Sequence, residues 1–250
     1  MKTVLIEKSG FGPRDTLYKF RLPEPVPSAP GQFAELKVHD GLSPFLRRPI
    51  SIFHAEGDEL ELLVRTVGAG TTQMLGWELG HEADILAPLG NGFKWVEGSG
   101  DCLLVGGGVG IAPLNYLAEK LLDAGKSVHL LFLPKRDSAI LGAVHRLEEM
   151  DACIAENRSE LPDALDAALS SGKGKDGVYA CGPDAMMRLV SDVCGQKGIF
   201  CQASLEERMG CGFGICFGCA VRIKSEDGFV YKKACSDGPV FDGGEVVFHE

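Results

Sequence analysis

Three stretches of different character predict a β-barrel, then a doubly wound parallel α/β unit, then a small cysteine-rich terminus. The first hundred residues read as short strands broken by Gly, Pro and Asp, the pattern of an antiparallel barrel or sandwich. The next hundred alternate strand with helix, which requires a parallel sheet. The last fifty concentrate glycine and cysteine and lose helical periodicity. The expected units are 1–98, 99–200 and 201–250.

Within the first unit, strands are expected over 3–7, 17–22, 33–38, 50–54 and 60–66, all rich in β-branched or aromatic residues. Pro23, Pro25, Pro27 and Pro30 make one connection turn-rich, because proline fixes φ and removes a donor. From Asp101 the run CLLV predicts a buried strand, followed by a glycine-rich turn and a helix over 113–124. That helix carries apolar residues at 114, 117, 118, 121 and 122. Strands over 128–133, 152–156 and 177–181 then alternate with helices around 139–150, 161–170 and 184–195.

Composition narrows the chemistry. Lys plus Arg is 25 against 35 for Asp plus Glu, a formal charge of −10, the wrong sign for tracking phosphates along a nucleic acid. The longest apolar stretch, 102–114, is about 13 residues and too short to span a bilayer. The start, MKTVLIEKSG, shows no export signal, so a cytoplasmic location is expected. Nine cysteines in such a chain point to metal or redox chemistry rather than disulfides.

Cys211, Cys216, Cys219 and Cys235 follow the spacing C-x4-C-x2-C-x15-C, which suits the four thiolates of a [2Fe–2S] cluster. Gly212, Gly214 and Gly218 let the loop turn so that the sulfurs converge. Structural zinc is the alternative, although zinc knuckles favour paired C-x2–4-C motifs and only one such pair is clean. Cys102, Cys153, Cys194 and Cys201 read as small buried hydrophobes. Cys181 differs, because it ends a strand of the parallel sheet, where ligands bind.

Gly106, Gly107, Gly108 and Gly110 sit between a strand and a helix and would let backbone approach a pyrophosphate. Alone, such a turn also occurs without any ligand. Cys181, Gly182 and Pro183, ending a later strand, add weight to a nucleotide site. In the barrel half, Arg48, Pro49, Ile50 and Ser51 couple a phosphate-pairing guanidinium to a hydroxyl. Leu63, Val64 and Arg65, followed by Gly70 and Thr71, offer a second Arg beside a flexible turn.

In order along the chain, RPIS, LVR-x2-G-x-GT, PLGNGF, GGGVGIAPL and CGP resemble the ferredoxin–NADP reductase superfamily. The terminal ERMGCGFGICFGCAV and ACSDGPVFDGGEV are more specific. They resemble the electron-transfer subunits of the NAD-linked dihydroorotate dehydrogenase B family, over essentially the whole chain. The resemblance implies a flavin-binding barrel, a nicotinamide-nucleotide domain and a [2Fe–2S] domain. Arg48 to Ser51 would line the flavin of FAD, and Leu63 to Arg65 with Gly70 and Thr71 would hold its ring edge and pyrophosphate. Gly106 to Gly110 would approach the phosphates of NAD, Cys181 to Pro183 would lie by the nicotinamide, and the four cysteines would hold the cluster. Ile50 departs from the superfamily, where many members place a Tyr that stacks on the flavin.

The resemblance also implies a partner, an FMN-containing dihydroorotate dehydrogenase catalytic subunit, in a heterotetramer of two of each. Electrons would pass from that FMN through [2Fe–2S] and FAD to NAD+ in pyrimidine (UMP) biosynthesis. No acid–base residue is assigned, because the cofactors carry the chemistry. Glu206 and Glu207 are expected as surface carboxylates, with orientation of the nicotinamide as the alternative. The rival reading is the flavin/iron–sulfur subunit of a ferredoxin:NADP+ transhydrogenase or sulfide dehydrogenase, in which Asp commonly replaces the first cluster cysteine. A regulator with a zinc-stabilised tail is a third. The choice of NAD over NADP rests on the resemblance, since Pro134, Lys135, Arg136 and Asp137 carry both signs at the expected discriminating position.

Overall fold

The computed structural model describes residues 1–248 except positions 40, 42, 96, 98, 99 and 137, so Asp137 lies outside the described residues. Strands β1 (Lys2–Gly10), β2 (Asp15–Arg21), β3 (Phe33–Lys37), β4 (Arg48–Glu56) and β5 (Glu59–Arg65) lead to a short helix α1 (Ala69–Met74) and strand β6 (Glu82–Leu89). The strands close into an antiparallel barrel in the order β1-β2-β5-β4-β3-β6. β6 was not among the expected strands, and it closes the barrel by pairing with both β1 and β3. The turn expected to be flexible at Gly68–Thr72 is instead the start of α1, where Thr71 Oγ1 accepts the Val67 and Gly68 amides at 3.0 and 3.3 Å.

Period-two alternation gives each barrel strand two jobs. Along β5, Leu60, Leu62 and Val64 fill the barrel, while Leu63 joins the core shared with the next unit. Along β4, Ile52 points inward and Phe53 outward. A one-residue slip would exchange the two sets, so burial on both faces fixes the register.

The second unit runs β7 (Asp101–Gly107), α2 (Ile111–Asp123), β8 (Ser127–Leu133), β9 (Asp151–Ile154), α3 (Leu161–Ser170), β10 (Gly177–Cys181) and α4 (Asp184–Lys197). β11 (Cys201–Ser204) follows, then the hairpin β12 (Ala220–Ser225) and β13 (Gly228–Lys233), and last β14 (Val240–Asp242). The sheet order is β14-β11-β10-β7-β8-β9, with only β14 antiparallel to its neighbour. β11 and β14, from the segment expected to carry the cluster, therefore belong to this sheet. Its core continues beneath the hairpin through Cys219, Val221, Ile223 and Cys235.

Two expectations fail here. The helix around 139–150 is two 3-10 turns, Ile140–Ala143 and Leu147–Glu149, with Arg146 in the left-handed region between them at φ 54°. Tertiary bonds override the local pattern: the Ala139 amide donates to the Phe11 carbonyl at 3.2 Å, and the His145 amide to Asn115 Oδ1 at 2.7 Å. Cys153 is exposed, not buried, because β9 is the edge of the sheet.

Helix α2 joins the two units. Asn115 Nδ2 donates to the Phe53 carbonyl at 3.0 Å, and the Tyr116 hydroxyl lies 3.2 Å from the Ser28 and Ala55 carbonyls. The order of strands around β7 and β10 reverses at their carboxyl ends, which creates the crevice where such sheets bind ligands. There the glycines pack protein against protein. A Cβ on Gly110 would overlap the Cys181 carbonyl, and one on Gly107 would meet Pro183 at 2.7 Å and Met186 at 2.9 Å.

Substitution Gly110→Ala should therefore cost about 1–3 kcal/mol through overpacking against backbone. Gly195→Ala, on α4 with open space around it, should stabilise by roughly 0.5–1 kcal/mol. Thermal melts of the two variants should shift in opposite directions. Equal shifts would show that the two glycines have the same role.

Candidate functional site

The crevice opens into a cleft of about 310 Å³ to which all three segments contribute. β4 supplies Arg48, Pro49, Ile50 and Ser51; β5 supplies Leu63 and Arg65; and α1 supplies Thr71. β10 supplies Cys181, the turn after β7 Val109 and α2 Ala112, and the chain beyond β11 adds Leu205 to Glu207 and Met209. Sequence reasoning thus brought together Arg48 to Ser51, Leu63, Arg65, Thr71 and Cys181. Val64 does not reach the cleft, because alternation turns it into the barrel. Gly70 supports rather than lines it, since a Cβ there would overlap the Arg48 guanidinium.

Two arginines give the cleft its positive rim. Arg48 is folded back over α1, donating from Nη1 to the Leu46 and Arg47 carbonyls. Arg65 Nη1 lies 3.3 Å from Asp15 Oδ2, which also accepts from Ser138 Oγ at 2.6 Å. Arg65 also borders a basic hollow of about 370 Å³ lined by Arg14, Lys135 and Arg136. A Cβ on Gly106 would press on Ile111 and Phe132 at 3.3 Å, while Gly108 takes φ +56° under the stem of Lys135. Gly182 packs against Gly107, with Pro183 as the cap of α4. These five glycine and proline positions, with Gly110, shape the crevice without lining the cleft itself.

Cys181 faces the cleft as a neutral thiol: burial first, then the charge of Glu206, pushes its pKa up. Glu206 is exposed at the mouth, so solvent tempers the upward push that lost hydration and Asp184 give its carboxyl. Sequence reasoning missed Phe33, Met209 and Pro239 as lining residues. The first faces away from the barrel on the alternating strand β3, which was the available signal.

The cysteine loop lies beside this cleft, continuing from Met209. Its turns use Gly212 at φ +78° and Gly214 at φ +91°, conformations that favour glycine. The Cys216 amide donates to Cys211 Sγ at 3.4 Å. That bond first, with help from the Phe213 and Ile215 amides, holds the Cys211 thiol down to about 6. Cys211 is also within hydrogen-bonding reach of the Cys216 side chain, and Cys235 of Cys219. Burial, then the neighbouring Cys219, pushes Cys235 up to about 12. Four sulfurs in two pairs suit two irons with two thiolates each, and the amides aimed at sulfur suit a buried negative cluster. Two buried adjacent thiols cannot both ionise unless a cation joins them, so the donor set fits a metal.

Beneath the loop sits Glu35, 1% exposed, with neither carboxylate oxygen hydrogen-bonded among the described residues. Its side chain abuts Gly212, where a Cβ would meet Oε1 at 2.5 Å. Burial pushes its pKa up to about 7 against the opposing pull of Arg47.

Residues 206–247 match the model of the iron–sulfur cluster binding domain of dihydroorotate dehydrogenase B. The chain is 38% identical over 231 residues to the dihydroorotate dehydrogenase B (NAD(+)) electron transfer subunit of Bacillus mycoides, covering 87% of this chain and 86% of that one. The protein of the same name from Caldanaerobacter subterraneus subsp. tengcongensis is 36% identical over 220 residues, covering 88% and 87%. Among solved structures, an NADH-dependent reduced ferredoxin–NADP oxidoreductase matches with TM-score 0.86 and 25% identity over 98% of this chain and 90% of that one. A ferredoxin reductase of carbazole 1,9a-dioxygenase shares the fold at TM-score 0.68 and 19% identity, over 80% of this chain and 66% of that one. The shared fold does not separate the expected function from its transhydrogenase rival; the curated relatives do, and they favour the former. The chain belongs to the family of electron transfer subunits of dihydroorotate dehydrogenase B (NAD+).

Proposed function

We propose that the cleft holds FAD, that Cys211, Cys216, Cys219 and Cys235 hold [2Fe–2S], and that NAD docks at the crevice between β7 and β10. The convergence of β4, Cys181 and the cysteine segment on one cleft carries this reading. FAD, when bound, exchanges electrons in pairs with a nicotinamide and singly with an iron–sulfur cluster. The protein's part is to position. Arg48 and Arg65 supply fixed positive charge for a pyrophosphate. Ile50, Leu63 and Val109 give apolar walls that exclude water.

In this reading, 1–98 is the flavin unit, 99–200 the nucleotide unit and 201–250 the cluster-bearing segment. The partner is an FMN-containing subunit that oxidises dihydroorotate, two of each forming a cytoplasmic heterotetramer. Among the described residues no helix is long and apolar enough to cross a membrane. Exposed Phe213, Ile215 and Phe217 crown the cysteine loop, at 52%, 78% and 64%. Three exposed apolar side chains on the cysteine loop support docking of the partner at the cluster.

Arg48→Met should weaken FAD retention by about 10- to 100-fold, the worth of lost charge-assisted bonds. Flavin absorbance after gel filtration reads it, with iron content as the control. Ile215→Asp should weaken binding to the catalytic subunit by about 10-fold or more, measured by interferometry. For the reaction itself, the isolated chain should pass electrons from NADH to artificial acceptors yet leave dihydroorotate untouched. Adding the FMN subunit should restore dihydroorotate-dependent NAD+ reduction. Turnover of dihydroorotate by the chain alone would overturn the proposal.

A further inference from the structure

Away from the cleft and the cysteine loop, one polar cluster spans the seam between barrel and sheet. His54 on β4 and His145, between the two 3-10 turns, both aim Nδ1 at a single carboxylate, Glu119 of α2. His54 Nδ1 lies 2.6 Å from Oε2, and His145 Nδ1 lies 2.7 Å from Oε1. One ligand atom from each of the three residues lies within 4.8 Å of the other two. Glu119 is buried, whereas the two imidazoles are partly open to solvent.

We propose that His54, Glu119 and His145 form a divalent-cation site, with Zn2+ the preferred ion, that staples the flavin-side strand β4 to helix α2. Two imidazoles with one carboxylate select a borderline transition metal over Mg2+ or Ca2+, which require oxygen ligands. The surroundings are arranged as an outer shell. A metal-bound His characteristically gives its other N–H to a carboxylate. His145 Nε2 lies 3.3 Å from Glu61 Oε2, while Glu61 Oε1 is held by Lys19 at 2.9 Å. His54 Nε2 faces Glu56 at 4.0 Å. Asn115 Nδ2 donates to Glu119 Oε1 at 3.0 Å and so fixes the carboxylate's rotation.

Framing of the three ligands is rigid. His54 lies on a barrel strand, Glu119 on a helix, and the His145 backbone is tied to Asn115 Oδ1. With metal–ligand bonds of about 2.0–2.2 Å, each N···O separation need only widen to about 3 Å, a small rotation of each ring. The ion takes the place of the Nδ1 proton, and the open side leaves a position for water. The site uses none of the residues assigned to FAD, NAD or the cluster.

The test uses the full chain loaded with flavin and cluster, so that the four ligand cysteines are occupied. Calorimetric titration with ZnCl2 at about pH 8 is run on wild type, H54Q, H145Q and the double variant. Wild type should take up one Zn2+ per chain more than the double variant, and each single variant should bind that ion at least about 10-fold more weakly. Thermal melts should show zinc raising the midpoint of wild type only. Should a variant fail to fold, anomalous diffraction at the zinc edge from wild-type crystals decides alone. A peak between the two Nδ1 atoms supports the site. Equal zinc uptake by wild type and double variant, or no anomalous peak there, overturns it.

Discussion

The seating of α2 against β4 is the contact on which the rest of the molecule depends. β4 begins with the residues that border the cleft, and α2 begins where the glycine-rich turn ends. Any rotation of one against the other would move both sides of the cleft. The contact combines apolar burial, through Phe53, Leu114 and Leu117, with directional bonds from Asn115 and Tyr116. Burial alone is non-directional and would tolerate sliding. Asn115 is 1% exposed, and leaving its amide unpaired would cost about 1–3 kcal/mol, which opposes any slip.

Charge is managed differently at the seam between barrel and sheet and at the cysteine loop. At the seam, the imidazoles of His145 and His54 face carboxylates, so His145 is pushed up to about 9 and Glu119 down to about 2. Each of those groups stabilises the other's charged form. At the cysteine loop burial outweighs the pull of Arg47 on Glu35. Glu35 is pushed towards neutrality by burial, and Cys235 likewise. Cys211 is instead held down by backbone amides, so it is the buried side of the loop that disfavours added negative charge and suits thiolates only when a metal neutralises them. The fold thus holds the loop in a form that a cluster completes.

Legibility in the sequence tracked how local each cause is. α3 over Leu161–Ser170 and β10 over Gly177–Cys181 were readable to the residue, because apolar period and flanking turns lie within the segment. An iron–sulfur segment within 206–247 was equally legible, since cysteine spacing is a local code. The helix over 139–150 was misread because its ties, Ala139 to Phe11 and His145 to Asn115, come from distant chain. β6 was missed because Glu82–Leu89, with Pro88 and two alanines, has weak strand propensity and is held by pairing on both sides. Burial of Glu35 was invisible: in isolation FAELK reads as a half-exposed strand, and only the loop laid over its outer face removes the water.

The glycines show why one compositional excess had two explanations. In the crevice, the turn after β7 was expected to need glycine so that backbone could approach a phosphate. The structure adds a protein cause, because Gly107 and Gly110 are pressed on the turn that follows β10. The two causes are linked. The β7 and β10 strands are adjacent and parallel, with Gly106 opposite Cys181, so their turns leave the sheet side by side. Only turns without side chains can pass this closely and still leave a crevice between sheet and barrel. Close packing of protein on protein is therefore what opens room for a ligand. Room at this crevice follows from how tightly the scaffold closes behind it.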